Sequence, residues 1–220
     1  MPFNPMQLVG LVVIVGLVLA FVQVGLLTVA FEKLGLSSHS AFMLLFASLF
    51  GSAINLPVMK VKAERPNLED TPEQLREFMA RALRNFQGHT TIAVNTGGCL
   101  IPLMFSYYLI RLNEVGGLKL IAATLIVTAV CRWASRSIPG IGIGMPVFIA
   151  PLAAAITASA IDPEHSAPLA YICGTIGVLV GADLLRLNDV LKMGVPIASI
   201  GGAGTFDGIF ITGIVAVLLA

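Results

Sequence analysis

Apolar runs of about 20 residues recur along this whole 220-residue chain, and they constrain its fold more than any other feature. A helix needs about 20 such residues to cross a bilayer, whose core holds no water to satisfy an open backbone. Hydrophobic residues make up 57% of the chain and charged residues only 11%, against roughly 25% charged in a soluble domain. The sequence therefore predicts a single all-α polytopic membrane domain over residues 1–220. About seven transmembrane helices are predicted, at about 7–31, 40–59, 91–110, 118–133, 138–161, 167–187 and 194–220.

Glycine and proline interrupt several of these spans. Such residues kink or break helices, and the freed backbone groups then need protein or water as partners. Two explanations remain open: close packing through small residues, or a duplicated hairpin of broken helices. The interrupted stretches read "GSAINLPVM" (51–59), "NTGGCLIPLM" (95–104), "GIGMPVFIAPL" (142–152) and "GVPIASIGGAG" (194–204).

The one sizeable loop, 60–90, is expected to carry an interfacial amphipathic helix over 72–86. Thr71 is suited to cap this helix, Pro72 to occupy its first position and Gln74 to complete a capping box. The helix is interpreted as a connector on the inner membrane surface, with a gating or partner helix as the alternative.

The distribution of basic residues predicts the orientation of the chain. If the N-terminus is cytoplasmic, ten of the 13 Lys and Arg residues fall in cytoplasmic loops, including the 60–90 loop. We therefore expect a multi-pass protein of the cell membrane with its N-terminus inside and its C-terminus outside. The net charge of +1 gives no reason to expect a nucleic-acid partner. The expected partner is the lipid bilayer that surrounds the helices.

Most catalytic and metal-binding motifs are absent from the sequence. It contains no HExxH, no CxxC and no phosphate-binding glycine loop in a suitable context, and its three histidines fall in predicted loops. The cysteines are odd in number and widely spaced, so neither a disulfide framework nor a metal site is expected. No cofactor and no metal are therefore predicted. The cysteines are Cys99, Cys131 and Cys173.

Two carboxylates, Asp183 and Asp207, fall inside predicted spans, where ionisable groups are costly and usually functional. Their spans are adjacent and antiparallel, so both groups could lie at a similar depth. Two carboxyl groups a few ångströms apart share a proton, and one could then activate water while the other protonates a scissile amide. The segment between them would let a substrate backbone approach closely. Its predicted substrate-binding residues are Gly201, Gly202, Gly204, Thr205 and Phe206.

Three other readings of these acids stay open. Asp183 could form an interfacial ion pair with Arg186, and Asp207 could complement a helix dipole after a Thr205 cap, as in a non-catalytic scaffold. Alternatively, both could couple protons or cations to the transport of a small solute. In that transporter, Asn55 and Asn95 would add polar lining.

The segment "GTFDGIFITGIV" (204–215) resembles the second catalytic segment of the presenilin and signal-peptide-peptidase group of intramembrane aspartyl proteases. "GADLLRLNDVL" (181–191) is similar to the first. The resemblance implies that Asp183 and Asp207 are the catalytic pair, although Phe206 stands where that group has a glycine. The chain also resembles an uncharacterised family of multi-span membrane proteins from bacteria and archaea.

The leading functional hypothesis is therefore an intramembrane aspartyl protease that cleaves transmembrane helices or signal-peptide remnants. The oligomeric state is left open, with a homo-oligomer as one alternative.

Overall fold

The computed structural model describes residues 25–64, 86–138, 142–190, 192, 194–202 and 208–220. This part of the chain forms seven helices and five short strands. The helices are α1 Gly25–Lys33, α2 Ser38–Gly51, α3 Thr96–Leu112, α4 Gly117–Ala134, α5 Ile149–Ile161, α6 Pro163–Val190 and α7 Gly208–Leu219. The strands are β1 Asn55–Lys62, β2 His89–Asn95, β3 Arg136–Ile138, β4 Gly142–Gly144 and β5 Ile197–Ile200.

Two of the described helices, α4 and α6, are each long and apolar enough to cross a membrane. A third span results if α1 and α2, which meet at an angle of 109°, are counted together. The bend follows from Gly35, whose φ of +73° ends α1, and from Ser37, whose hydroxyl caps α2 by accepting a hydrogen bond from the Ser40 amide at 3.2 Å. The chain is thus a mostly helical membrane protein, and seven spans remain a prediction.

Two predicted elements fall largely outside the described residues. Most of the first span, 7–31, precedes residue 25, and the amphipathic helix 72–86 lies in 65–85 except for its last residue.

Helix α6 forms the centre of the bundle. Its most apolar 18-residue window is 72% buried inside the protein, against 22% for α4, so α6 is the core helix and α4 a peripheral one. Glycines on α6 allow α4 to pack directly on its backbone. A Cβ atom on Gly181 would lie 2.4 Å from the Thr128 carbonyl oxygen, and one on Gly177 would lie 2.6 Å from Cγ1 of Val127. Small residues at helix contacts are a common way to pack membrane helices closely.

A small three-stranded sheet, which the all-helical prediction did not include, lies beside the helices. Its order is β1-β2-β5, with β1 antiparallel to β2 and β2 parallel to β5. Each of these strands lies in or at the edge of a predicted span. The sequence predicted helix there because the periodicity of a short apolar run does not distinguish a strand from a buried helix. Paired in the sheet, the three strands satisfy one another's backbone groups. The remaining strands, β3 and β4, form a separate hairpin.

The two edges of the three-stranded sheet differ in chemistry. Strand β1 carries Pro57, which cannot donate to another strand, and the charged Lys60 and Lys62. These are the residue types that keep an edge strand from pairing with a further chain. Strand β5, with the sequence "IASI", carries none of them.

An ion pair between a buried carboxylate and a half-exposed ammonium joins the ends of α4, α5 and α6. Asp162, only 3% exposed, lies between α5 and α6, and its carboxylate is 3.1 Å from the Lys119 ammonium of α4. The His165 ring nitrogen Nδ1 is 3.4 Å from the other carboxylate oxygen. The hydrogen bond from Lys119 lowers the pKa of Asp162 below its ordinary value of 3.8.

This lowered pKa predicts a loss of stability in acid. The ionised Asp162 stabilises the fold above pH 3.8, and this contribution is lost as the pH falls through the lower pKa of the folded state. We expect the thermal unfolding temperature in detergent to fall more steeply between about pH 5 and pH 2 for the wild type than for Asp162→Asn. Glu164→Gln, at an exposed position two residues on, is the matched control and should keep the wild-type slope. Equal slopes for wild type and Asp162→Asn would contradict this role.

Candidate functional site

Asp183 lies where α6 departs from regular α-helical geometry. Residues Leu179–Asp183 form a π-helical turn, and Leu184–Arg186 form a 3-10 turn directly after it. Single π turns in helices occur frequently at functional sites. The Asp183 carboxylate is partly buried, and its Oδ2 accepts a hydrogen bond of 2.8 Å from the Gly201 amide at the end of β5. The irregular turn therefore directs this carboxylate toward the sheet.

Asp183 borders a partly open cavity of about 410 Å³, a volume in the range of small-ligand sites. The walls come from β4 and the residues after it, from α6, from β5 with its flanking residues and from the start of α7. Apart from Asp183, the polar side chains in these walls are Ser199 and Thr212, and the other lining residues are apolar or glycine. The lining residues are Gly142, Ile143, Gly144, Met145, Val147, Val178, Ala182, Asp183, Leu187, Val190, Val195, Ile197, Ala198, Ser199, Ile200, Gly202, Ile209 and Thr212.

The predicted substrate-binding glycines Gly201 and Gly202 lie at the edge of this cavity. Both have positive φ values, +85° and +94°, which favour glycine. Gly202 lines the cavity, whereas Gly201 packs against the first turn of α3. A Cβ on Gly98 would lie 1.8 Å from the Gly201 carbonyl oxygen, and one on Gly201 would lie 2.6 Å from Cβ of Cys99. The backbone at Gly201 is therefore fixed between α3 and the Asp183 carboxylate.

The second predicted catalytic residue, Asp207, lies outside the described residues, as do Gly204, Thr205 and Phe206. The chain on both sides of this segment is described, and it borders the cavity at Gly202 and at Ile209 of α7.

The two asparagines expected to add polar lining, Asn55 and Asn95, are hydrogen-bonded to each other. The Asn95 amide donates to the Asn55 side-chain oxygen at 3.1 Å and to the Ser52 carbonyl at 2.7 Å. Its own oxygen accepts the Gly98 amide at 2.7 Å. Ser199 of β5 donates to the same Asn55 oxygen at 2.5 Å. The asparagines thus join β1, β2 and β5 behind the cavity, and Ser199 is the member of this network in the cavity wall.

Arg186, the alternative partner of Asp183, forms its ion pair with Asp189 one turn further along α6, at 2.9 Å. Its other hydrogen bonds reach the C-terminal end of α4, at Ser135 and the Arg132 carbonyl. Sequence reasoning did not identify Ser199, Thr212 or the β3–β4 hairpin as parts of the site. The one available signal was the glycine- and proline-rich stretch 142–152, which suggested irregular backbone.

In the part of the chain that the structure describes, no three His, Cys, Asp or Glu side chains come together in a way that could hold a metal ion. The polar side chains that line the cavity are one carboxylate and two hydroxyls. Such groups could position water and a polar backbone.

These features define a class: a helical membrane protein with a carboxylate at a partly open, mostly apolar cavity. Residues 49–219 match the family model described as protein of unknown function DUF1614, and the chain belongs to this family. The expectation of an uncharacterised family is thereby confirmed. No curated protein and no solved structure matches the chain, so the resemblance to presenilin-type proteases is supported only by the sequence segments that suggested it.

Proposed function

We propose that this chain is an intramembrane aspartyl endopeptidase with Asp183 and Asp207 as its catalytic pair. The observation that supports it best is the position of Asp183 at a cavity that the chain also borders on both sides of Asp207, at Gly202 and Ile209. In this reaction one carboxylate acts as general base on a water molecule. The other protonates the carbonyl oxygen of the scissile amide. The pair would titrate as a unit.

The cavity walls favour an apolar, extended substrate. All four residues of β5 line the cavity, and among the described strands β5 pairs on one side only, with β2. An unwound segment of a transmembrane helix or signal peptide could add its backbone to this open edge, since extended peptides commonly bind by pairing with edge strands. The proline and lysines of β1 disfavour the same pairing at the opposite edge. The expected substrate is therefore a single-span helix or signal-peptide remnant.

The proposal is tested with purified protein in liposomes that contain a single-span peptide. We expect cleavage within the hydrophobic segment of the peptide, detected by mass spectrometry. Asp207→Asn should lower the cleavage rate about a thousandfold or more, because its amide can neither accept nor supply the shared proton. Glu114→Gln, an acid in the loop between α3 and α4, is the matched control and should cleave at the wild-type rate. Wild-type cleavage by Asp207→Asn would rule out the pair.

A proton- or cation-coupled transporter is the second candidate function. The hydrogen-bonded series from Ser199 in the cavity wall to Asn55 and Asn95 favours it, because such a series could extend a polar path beyond the cavity. A transporter requires pH-dependent flux of a solute into liposomes without peptide cleavage. Absence of both flux and cleavage would favour the non-catalytic scaffold.

A further inference from the structure

Arg186 makes four hydrogen bonds at the junction between α4 and the β3–β4 hairpin. Its Nε donates to the Ser135 hydroxyl at 2.7 Å, and one terminal nitrogen donates to the Arg132 carbonyl at 3.0 Å and to the Ser135 carbonyl. The other terminal nitrogen donates to Asp189 at 2.9 Å. The guanidinium side chain is only 14% exposed, and Ser135 is fully buried. A planar guanidinium supplies several donors in fixed directions. This contact therefore fixes both the distance and the relative orientation of the α6 segment at Arg186 and the chain at Ser135.

This junction joins two walls of the cavity. Ser135 directly precedes β3, and β3 pairs with β4 from Arg136 to Gly144. All of β4 lines the cavity. On the other side, Arg186 follows Asp183 by three residues, in the 3-10 turn that continues the π turn of α6. The guanidinium therefore connects the base of the hairpin to the segment that carries Asp183.

The backbones of α4 and α6 are in close contact at the same level. A Cβ on Gly181 would lie 2.9 Å from Cβ of Cys131 and 3.1 Å from the Arg132 amide nitrogen. The two helices therefore cannot approach each other further, and the Arg186 hydrogen bonds lie beside a closely packed helix contact.

We propose that Arg186 is a positioning residue that holds the β3–β4 hairpin in a fixed register opposite Asp183 and thereby selects which peptide bond is cut. This inference rests on the proposed protease function. A substrate segment lying between β4 and β5 contacts both walls, so a shift of the hairpin along the segment moves a different bond to Asp183. Misplacement by about 1 Å can reduce a rate by about a hundredfold.

The test compares Arg186→Lys and Ser135→Ala with the wild type. Lysine keeps the charge but cannot reach all four acceptors. Ser135→Ala removes the hydroxyl, which accepts from Arg186 and donates to the Arg132 carbonyl at 3.3 Å, and keeps the Ser135 carbonyl as an acceptor. We expect Arg186→Lys to spread cleavage over neighbouring bonds and to lower kcat/KM about tenfold or more. Ser135→Ala should show the same spread to a smaller extent. Both should exchange the amide hydrogens of 136–138 and 142–144 about tenfold faster.

Arg136→Gln is the matched control, because Arg136 lies in the same hairpin and its exposed side chain makes no ion pair among the described residues. It should keep the wild-type cleavage position and exchange rates. Unchanged cleavage positions in both Arg186→Lys and Ser135→Ala would overturn the proposal. If the wild-type protein cleaves no peptide, the protease function fails. In that case, the amide exchange rates of 136–138 and 142–144 in Arg186→Lys and the wild type still show whether Arg186 stabilises the hairpin.

Discussion

Asp183→Asn is expected to lower peptide cleavage by about a thousandfold or more while leaving the protein folded. Asparagine has the shape of aspartate, and its side-chain oxygen can still accept the hydrogen bond that the Gly201 amide donates at 2.8 Å. It can neither accept nor supply the proton that the pair would share, so the acid–base function is lost while the contact that joins α6 to β5 is kept. Initial cleavage rates and thermal unfolding in the same detergent measure the two effects separately.

Glu164→Gln is the matched control for this substitution. Glu164 is an exposed acid at the opposite end of α6, far along the same helix from the cavity, so its loss should change neither rate nor stability. Full activity of Asp183→Asn would show that the carboxylate at the cavity is structural.

Gly98→Ala is expected to damage both stability and activity. Its added methyl group would lie 1.8 Å from the Gly201 carbonyl oxygen and 2.9 Å from the carbonyl carbon, so one backbone has to move. Gly98 is itself held by the hydrogen bond from its amide to Asn95, so we expect the Gly201 peptide to shift and its amide to move away from Asp183. Overpacking of this kind costs about 1–3 kcal/mol, and the displaced amide should reduce cleavage about a hundredfold.

Gly117→Ala provides the comparison for Gly98→Ala. A Cβ at Gly117, in the first turn of α4, meets nothing within 4 Å, so the same chemical change should leave the unfolding temperature and the cleavage rate near their wild-type values. If Gly98→Ala unfolds at the wild-type temperature, the contact between α3 and Gly201 is not tight enough to position the site.

The membrane class and the position of Asp183 inside an apolar segment could be predicted from the sequence because both depend on local chemistry. A long apolar run and a carboxylate inside it are visible without knowing what packs around them. The helices α4 and α6 were predicted within a few residues for this reason, as spans 118–133 and 167–187.

The sheet and the cavity could not be predicted in the same way. The pairing of β2 with β5 joins Thr91 to Ile197, and no local pattern in "HTTIAVN" or "IASI" specifies that partner. Asn55 and Asn95 could be picked out as polar residues in apolar spans. Their contact with each other and with Ser199 depends on the strand register, which the sequence does not display.

The parallel pairing of β2 and β5 also has a consequence for biogenesis. Thr90 donates a 2.7 Å hydrogen bond to the Val195 carbonyl, and these residues are separated by 105 positions in sequence. A ribosome makes about 5–20 residues per second, so several seconds or longer separate the synthesis of β2 from that of β5, while α3 to α6 are being made. Contacts between distant segments also form slowly, because the loop between them must first be closed. The sheet that carries β5 into the cavity wall is therefore completed late in synthesis, after α3 to α6 have been made.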